Sequence, residues 1–198
     1  MVTGVSKRAR SIDRPAAPDR AKRNLVGRLG ADQTGVSAVE FALILPLMIT
    51  LLFGAVELGD GLTISRKVTH VTAALNDLVT QAKTITNADM TNIINAATSI
   101  ITPYDPTKLK IKVSEIKIDA NSVATVVWSD ASNDVALTPN TSFTVPAGVS
   151  QPSIYLIATE VHYSYKPTFG YVMTGTYDIK NFFYLRPRLT TNIARTAS

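Results

Sequence analysis

The 198-residue chain has no cysteine, two histidines, one tryptophan and only 18% charged residues. Without cysteine there can be no disulfide framework, zinc ribbon, redox motif or thiol nucleophile. His70 and His162 are too few to build a histidine-rich metal site. Charge is missing from one region above all. No Lys or Arg stands between Arg28 and Arg66, whereas a soluble chain averages about 25% charged residues throughout. Gly-rich phosphate loops, Gly-x-Ser-x-Gly elbows, His-Glu-x-x-His helices and calcium loops are lacking too. The sequence identifies no catalytic, cofactor-binding or metal-ligating residue. The reading is a non-enzyme with no cofactor and no small-molecule substrate. Glu160 and His162 share a strand face and are read as a surface contact.

A hydrophobic content of 45% excludes wholesale disorder, and the length allows one ordinary domain, or a small domain plus an anchor. The net charge of +5 is confined to residues 1–35, which hold eight basic and three acidic residues, while the remainder is neutral. Nucleic-acid binders carry their basic patch on a folded module, with aromatics or a groove-entering helix. This excess lies on a Pro/Ala/Arg-rich stretch without aromatics. It is a topology signal, and no nucleic-acid partner is expected.

Downstream, Phe41 to Val56 is uncharged and largely aliphatic. As a helix it measures roughly 24 Å, and extended over Val36 to Gly59 roughly 36 Å, enough for a hydrocarbon core of about 30 Å. A helix apolar all round, preceded by basic residues, points to a membrane span rather than a buried soluble helix. Pro46 would break a soluble helix but is tolerated in a span. The positive-inside rule places the basic stretch in the cytoplasm and residues after about 60 across the membrane. A cleaved secretory signal fits poorly, because the apolar run is long and Phe53-Gly54-Ala55-Val56-Glu57 offers no small-x-small site.

Gly35 precedes the run, and Glu40 is the fifth residue after it, followed by Phe41. This arrangement resembles a type IV prepilin processing site, at which a dedicated peptidase cuts after glycine and leaves the apolar helix at the new N-terminus, here Val36. More narrowly, Gly35-Val-Ser-Ala-Val-Glu-Phe-Ala-Leu-Ile-Leu-Pro-Leu followed by Phe53-Gly-Ala-Val-Glu-Leu-Gly59 resembles the TadE/TadG-like family of tight-adherence (Flp, type IVb) pilus assembly proteins. The resemblance covers about residues 35–83. The combination of Val-Glu-Phe-Ala, Leu-Pro and Gly-x-x-Glu carries it.

Glu40 has a physical reading of its own. A carboxylate at mid-bilayer costs about 2.5–3.5 kcal/mol on insertion scales, and less near the interface. Cleavage after Gly35 would create an α-ammonium on Val36, on the same helical face as Glu40. The pair could close within one chain or between bundled neighbours. Alternatively, Ser37-Ala38-Val39-Glu40 is a capping box that simply opens a helix. Glu57 is equally double. It either marks the far interface of the span or makes a polar contact between packed anchors, where Gly54 and Gly59 allow close approach.

Beyond the span, Ile64, Val68, Val71, Leu75, Leu78, Ala82 and Ile85 recur in steps of four and three, an a/d-like seam. It packs on the protein's own sheet or against a partner helix. Thr86-Asn87-Ala88-Asp89 opens a second helix with Met90, Ile93, Ile94, Ala97 and Ile101 on its apolar face, ended by Pro103. From Leu109 the pattern becomes β. Leu109, Ile111 and Val113 alternate, then Ile116 and Ile118 resume on the other phase, which predicts a bulge at Ser114–Glu115. Asp119 to Ser122 reads as a turn before a strand over 123–128. Residues 129–153 form a loop with one short strand at 142–145. A strand over 154–165 shows Tyr155, Ile157, Thr159, Val161, Tyr163 and Tyr165 on one face, and a last strand near 182–189 holds Pro187, which suits an edge. The aromatics between Tyr155 and Tyr184 are read as packing, with a ligand platform as the alternative.

The expected class is α+β: an N-terminal single transmembrane helix continuing into a helical arm, followed by a small antiparallel β-sheet head. The divisions are a basic cytoplasmic leader without regular structure at 1–35, the span at 36–59, the arm at 60–102 and a periplasmic β-rich domain at 103–198. The resemblance implies a minor pilin or pseudopilin in the bacterial inner membrane, single-pass, N-terminus cytoplasmic, able to associate with the pilus. Its partners would be the membrane, a prepilin peptidase, other pilins and pilus assembly platform proteins. By the same resemblance Gly35 and Val36 form the processing site, and Glu40 and Phe41 serve helix pairing and assembly. Pro46, Gly54, Glu57 and Gly59 are the candidates for helix packing or interface. The alternative is an uncleaved, single-pass anchored periplasmic binding or scaffold protein.

Overall fold

The computed structural model describes residues 33–170 and 172–196. Of the leader expected at 1–35, residues 1–32 lie outside the described residues, and Gln33 to Gly35, expected without regular structure, belong to the first helix. Two compact units divide the chain between Met48 and Ile49. Helix α1, Gln33–Thr80, contributes to both. It is followed by β1 (Thr84–Ile85), α2 (Asn87–Thr98), two short 3-10 turns at Ser99–Ile101 and Pro106–Lys108, β2 (Leu109–Ile118), β3 (Ala124–Ser132), β4 (Ile154–Tyr165), β5 (Tyr177–Leu185) and β6 (Ala194–Arg195). The class is α+β, as the sequence implied.

The described part of the first unit is helix alone, and every side chain from Gly35 to Met48 is exposed. Pro46 lies within this helix. Among the described residues one helix is long and apolar enough to cross a membrane, and its most apolar window has no buried residue. A soluble core helix would be covered, so this stretch needs lipid or a partner.

The second unit is a four-stranded antiparallel sheet of order β3-β2-β4-β5, with α1 laid across one face. Ile64, Val68, Val71, Leu75 and Val79 of α1 meet Leu109, Ile111 and Val113 of β2 and Ile157, Val161, Tyr163 and Tyr165 of β4. The seam therefore closes on the protein's own sheet. It differs from the expected seam in two ways: Val79 is buried, whereas Leu78 is 41% exposed, and α1 ends at Thr80, so Ala82 lies beyond the helix and Ile85 in β1. A straight helix at 3.6 residues per turn drifts about 20° per heptad from an a/d repeat. Packed on a sheet rather than coiled round a partner, α1 passes the inward position from residue 78 to 79.

The phase change along β2 also has a cause other than the one expected. The strand pairs with β4 without interruption from Leu109↔Tyr163 to Ile118↔Ile154. Both of its faces are covered. Leu109, Ile111 and Val113 face α1. Ile116 and Ile118 join a second cluster with Val126, Leu156, Leu137, Phe143 and Val145 on the opposite face. A register shift does occur between Glu115 and Ile116, but the extra residue is Val127 of β3. The expected bulge is thus corrected from β2 to its partner.

Local signals decide the rest. Thr86 and Asp89 form the reciprocal capping box of α2, and Asp89 accepts the Thr86 N–H at 3.0 Å. Lys67 of α1 donates to the carbonyls of Ile100 (2.9 Å) and Thr102 (2.7 Å), satisfying groups that the end of α2 leaves open. Asp119 accepts the N–H groups of Asn121 and Val123, each at 2.8 Å, and so fixes the β2–β3 turn. The segment expected as a short strand at 142–145 makes one bridge, Thr125↔Ser142, on the edge of β3. The strand expected near 182–189 lies earlier, at Tyr177–Leu185, Pro187 falls beyond it, and the two-residue β6 follows.

The C-terminal segment ties the layers together. β6 runs parallel to β1. Arg195 makes a two-pronged contact with Asp130 at 2.8 and 2.9 Å and reaches the side chain of Asn87 at 2.7 Å. Trp128 donates to the carbonyl of Ile193, whose N–H donates to the buried Glu115 at 2.7 Å. Burial pushes the Glu115 carboxyl above its ordinary range, with the bond from Ile193 opposing.

Candidate functional site

The residues singled out in the sequence fall into two groups on α1. Gly35, Val36, Glu40 and Phe41 lie on the exposed first turns. Val36 and Glu40 are four residues apart and share a helix face. Ser37 stands inside a helix that already includes Gln33, so Ser37-Ala38-Val39-Glu40 does not open it. Glu40 is therefore a helix-interior carboxylate, the one charged residue on a mostly apolar exposed surface from Gly35 to Met48.

The second group lies in the other unit. Glu57 is 1% exposed. Its Oε1 accepts the N–H of Gly170 at 2.5 Å and its Oε2 the N–H of Met173 at 3.0 Å. Tyr165, the last residue of β4, donates its hydroxyl to the Glu57 carbonyl at 3.0 Å. Burial, reinforced by the Asp60 and Glu57 carboxylates, holds the Tyr165 phenol above its ordinary value, so it stays a donor. Two backbone N–H groups thus satisfy the buried carboxyl. Two features let the β4–β5 loop come this close. The Phe53 and Phe169 rings lie 4.5 Å apart, and a methyl on Gly54 would stand 3.3 Å from Val172. Gly59 has no such neighbour. Glu57, expected at the lipid boundary or between anchors, has its carboxylate taken up within the chain's own head.

This loop (166–176, of which Tyr171 lies outside the described residues) carried no recognised motif. Its traces in the sequence were two glycines, Gly170 and Gly175, both with positive φ here, among apolar residues where a plain connection would be polar.

On the far face of the sheet the Glu160–His162 contact is present and larger than expected. His162 lies 2.6 Å from Glu160 and 2.9 Å from Asp178, and Lys112 bridges Glu160 and Asp134. Burial opposes protonation of the imidazole, but the two carboxylates outweigh it and hold its pKa above the ordinary value. Among the described residues no group of three or more His, Asp or Glu is arranged to hold a metal ion.

The family model for TadE-like protein matches residues 35–74, from the candidate processing glycine through the exposed run to the buried seam. The resemblance read from Gly35 and the Val-Glu-Phe-Ala run holds over that stretch. No curated protein and no solved structure matches the chain.

Proposed function

We propose that the protein is a membrane-anchored, pseudopilin-like or minor-pilin-like component in assembly of a tight-adherence (Flp type IVb) pilus, processed by a prepilin peptidase between Gly35 and Val36. The observation that carries this reading is the TadE-like match over a helix whose first half is apolar and exposed on every side. Such a surface must be covered by lipid or by other helices, and a pilin anchor uses both in turn. The basic stretch stays cytoplasmic by the positive-inside rule, which puts the sheet domain on the periplasmic side of the inner membrane. After cleavage the α-ammonium of Val36 and the carboxylate of Glu40 pair, within one chain or between neighbours, and Phe41 packs beside them. The head meets other pilins and the assembly platform. The protein performs no catalysis and needs no cofactor in this role.

A second reading, an uncleaved anchored scaffold or binding protein of the periplasm, is favoured by one observation: Gly35 lies inside the helix rather than at its boundary. Deletion of the gene separates the readings. The pilus reading expects loss of surface pili and of tight attachment, restored by the wild-type chain and poorly by Glu40→Ala. Normal piliation in the deletion strain would overturn it.

A further inference from the structure

The β4–β5 loop reaches the helix inside its apolar run. Its contacts are Phe53 and Gly54, with Glu57 one turn beyond. A hydrocarbon core of about 30 Å takes about 20 residues, so a span counted from Val36 ends near Val56. A loop stacked on Phe53 therefore stands at the depth of the membrane boundary. Backbone polar groups at that depth need partners inside the protein, and Glu57 supplies them to the N–H groups of Gly170 and Met173. The loop turns two large apolar side chains outward, Phe169 at 46% and Val172 at 48% exposed, beside the exposed Thr168, Thr174 and Thr176. Lys166, on its near flank, is suited to the headgroup layer.

We propose that this loop is a membrane foot, in which Phe169 and Val172 enter the headgroup–hydrocarbon boundary of the distal leaflet beside the anchor and hold the head on the lipid surface. The occupant of this patch is lipid, because the patch is continuous with the apolar run of α1. The proposal rests on the reading of that run as a membrane anchor, and on Glu57 as the clasp that keeps the loop at this depth.

The absence of cysteine makes the test direct, since single-cysteine variants carry no background. Spin labels at Phe169→Cys, Val172→Cys, Leu51→Cys and Val135→Cys are compared in the full chain, reconstituted in phosphatidylethanolamine/phosphatidylglycerol vesicles. Their relaxation by oxygen and by a water-soluble nickel chelate is measured. Labels at 169 and 172 should respond to oxygen and lose access to nickel, as at 51. The label at 135, on a 79% exposed residue of the head, should show the opposite. Adding Glu57→Gln should move the 172 label toward the aqueous pattern.

If 169 and 172 follow 135 while 51 stays in lipid, the foot is refuted and the anchor stands. If 51 is itself open to nickel, the anchor reading fails first. Shielding of 172 from both reagents, with dipolar broadening between labels, would mean that a second copy covers the patch, and would overturn the lipid assignment. An unchanged 172 label in the Glu57→Gln background would overturn the role of the clasp.

Discussion

The two halves of α1 carry nearly the same local sequence around their glutamates, Val39-Glu40-Phe41 and Val56-Glu57-Leu58, yet their surroundings are opposite. Around Glu40 every side chain is exposed. Around Glu57 a loop from far along the chain folds over the helix and takes the carboxylate with two N–H groups. The difference lies in what is available to meet the apolar surface. Beyond Ile64 the sheet covers one stripe of the helix. From Gly35 to Leu52 every side chain is exposed, and it is this surface that the proposed function assigns to assembly. A helix with one end clamped and the other bare suits a protein whose head is finished alone and whose anchor is finished by lipid or by partners.

The sharpest way to break this contrast is to truncate the seam. Leu75→Ala, at a fully buried site, should destabilise the head by about 2–5 kcal/mol. Leu47→Ala in the bare half should leave head stability unchanged. Denaturant titration followed by Trp128 fluorescence reads both, since this single tryptophan is buried in the head. Next comes the pair of glutamates. Glu57→Ala orphans two N–H groups and should cost about 2–4 kcal/mol, whereas Glu40→Ala should not move the same transition. Equal effects in the two glutamate variants would erase the distinction.

Thr86→Ala removes the capping box that starts α2 and should cost about 1 kcal/mol, seen as fraying of α2 in hydrogen exchange. The smallest effect is on the far face of the sheet. His162 has a folded pKa above its unfolded value of about 6.5, so its contribution is fully present below that unfolded value. It is lost as pH rises through the raised folded pKa. With both carboxylate partners partly exposed, it should amount to less than about 1 kcal/mol. His162→Phe should flatten this slope in urea midpoints measured across that window.

Local rules made much of the head legible. Thr86 and Asp89 announced α2, and the alternation from Tyr155 to Tyr165 announced β4 and its inner face. Where reading failed, tertiary structure had intervened. The phase change in β2 reflects a strand buried on both faces by different partners, which periodicity alone cannot separate from a bulge. Leu78 gave way to Val79 because the seam met a sheet rather than a coiled partner. The loop that holds Glu57 was illegible for a further reason: its partner lies more than a hundred residues earlier, and its donors are backbone N–H groups that leave no side-chain signature. The apolar, exposed character of the helix from Phe41 onward was readable because it is local to the run itself.

The most direct measurement is the N-terminal residue of the membrane-extracted protein, obtained by intact mass and N-terminal peptide mapping. If the bare end of α1 is a processed pilin-like terminus, the mature chain begins at Val36 and Glu40 has its ammonium partner four residues away. A chain that retains residues 1–35 would contradict this and leave an uncleaved anchored scaffold in its place.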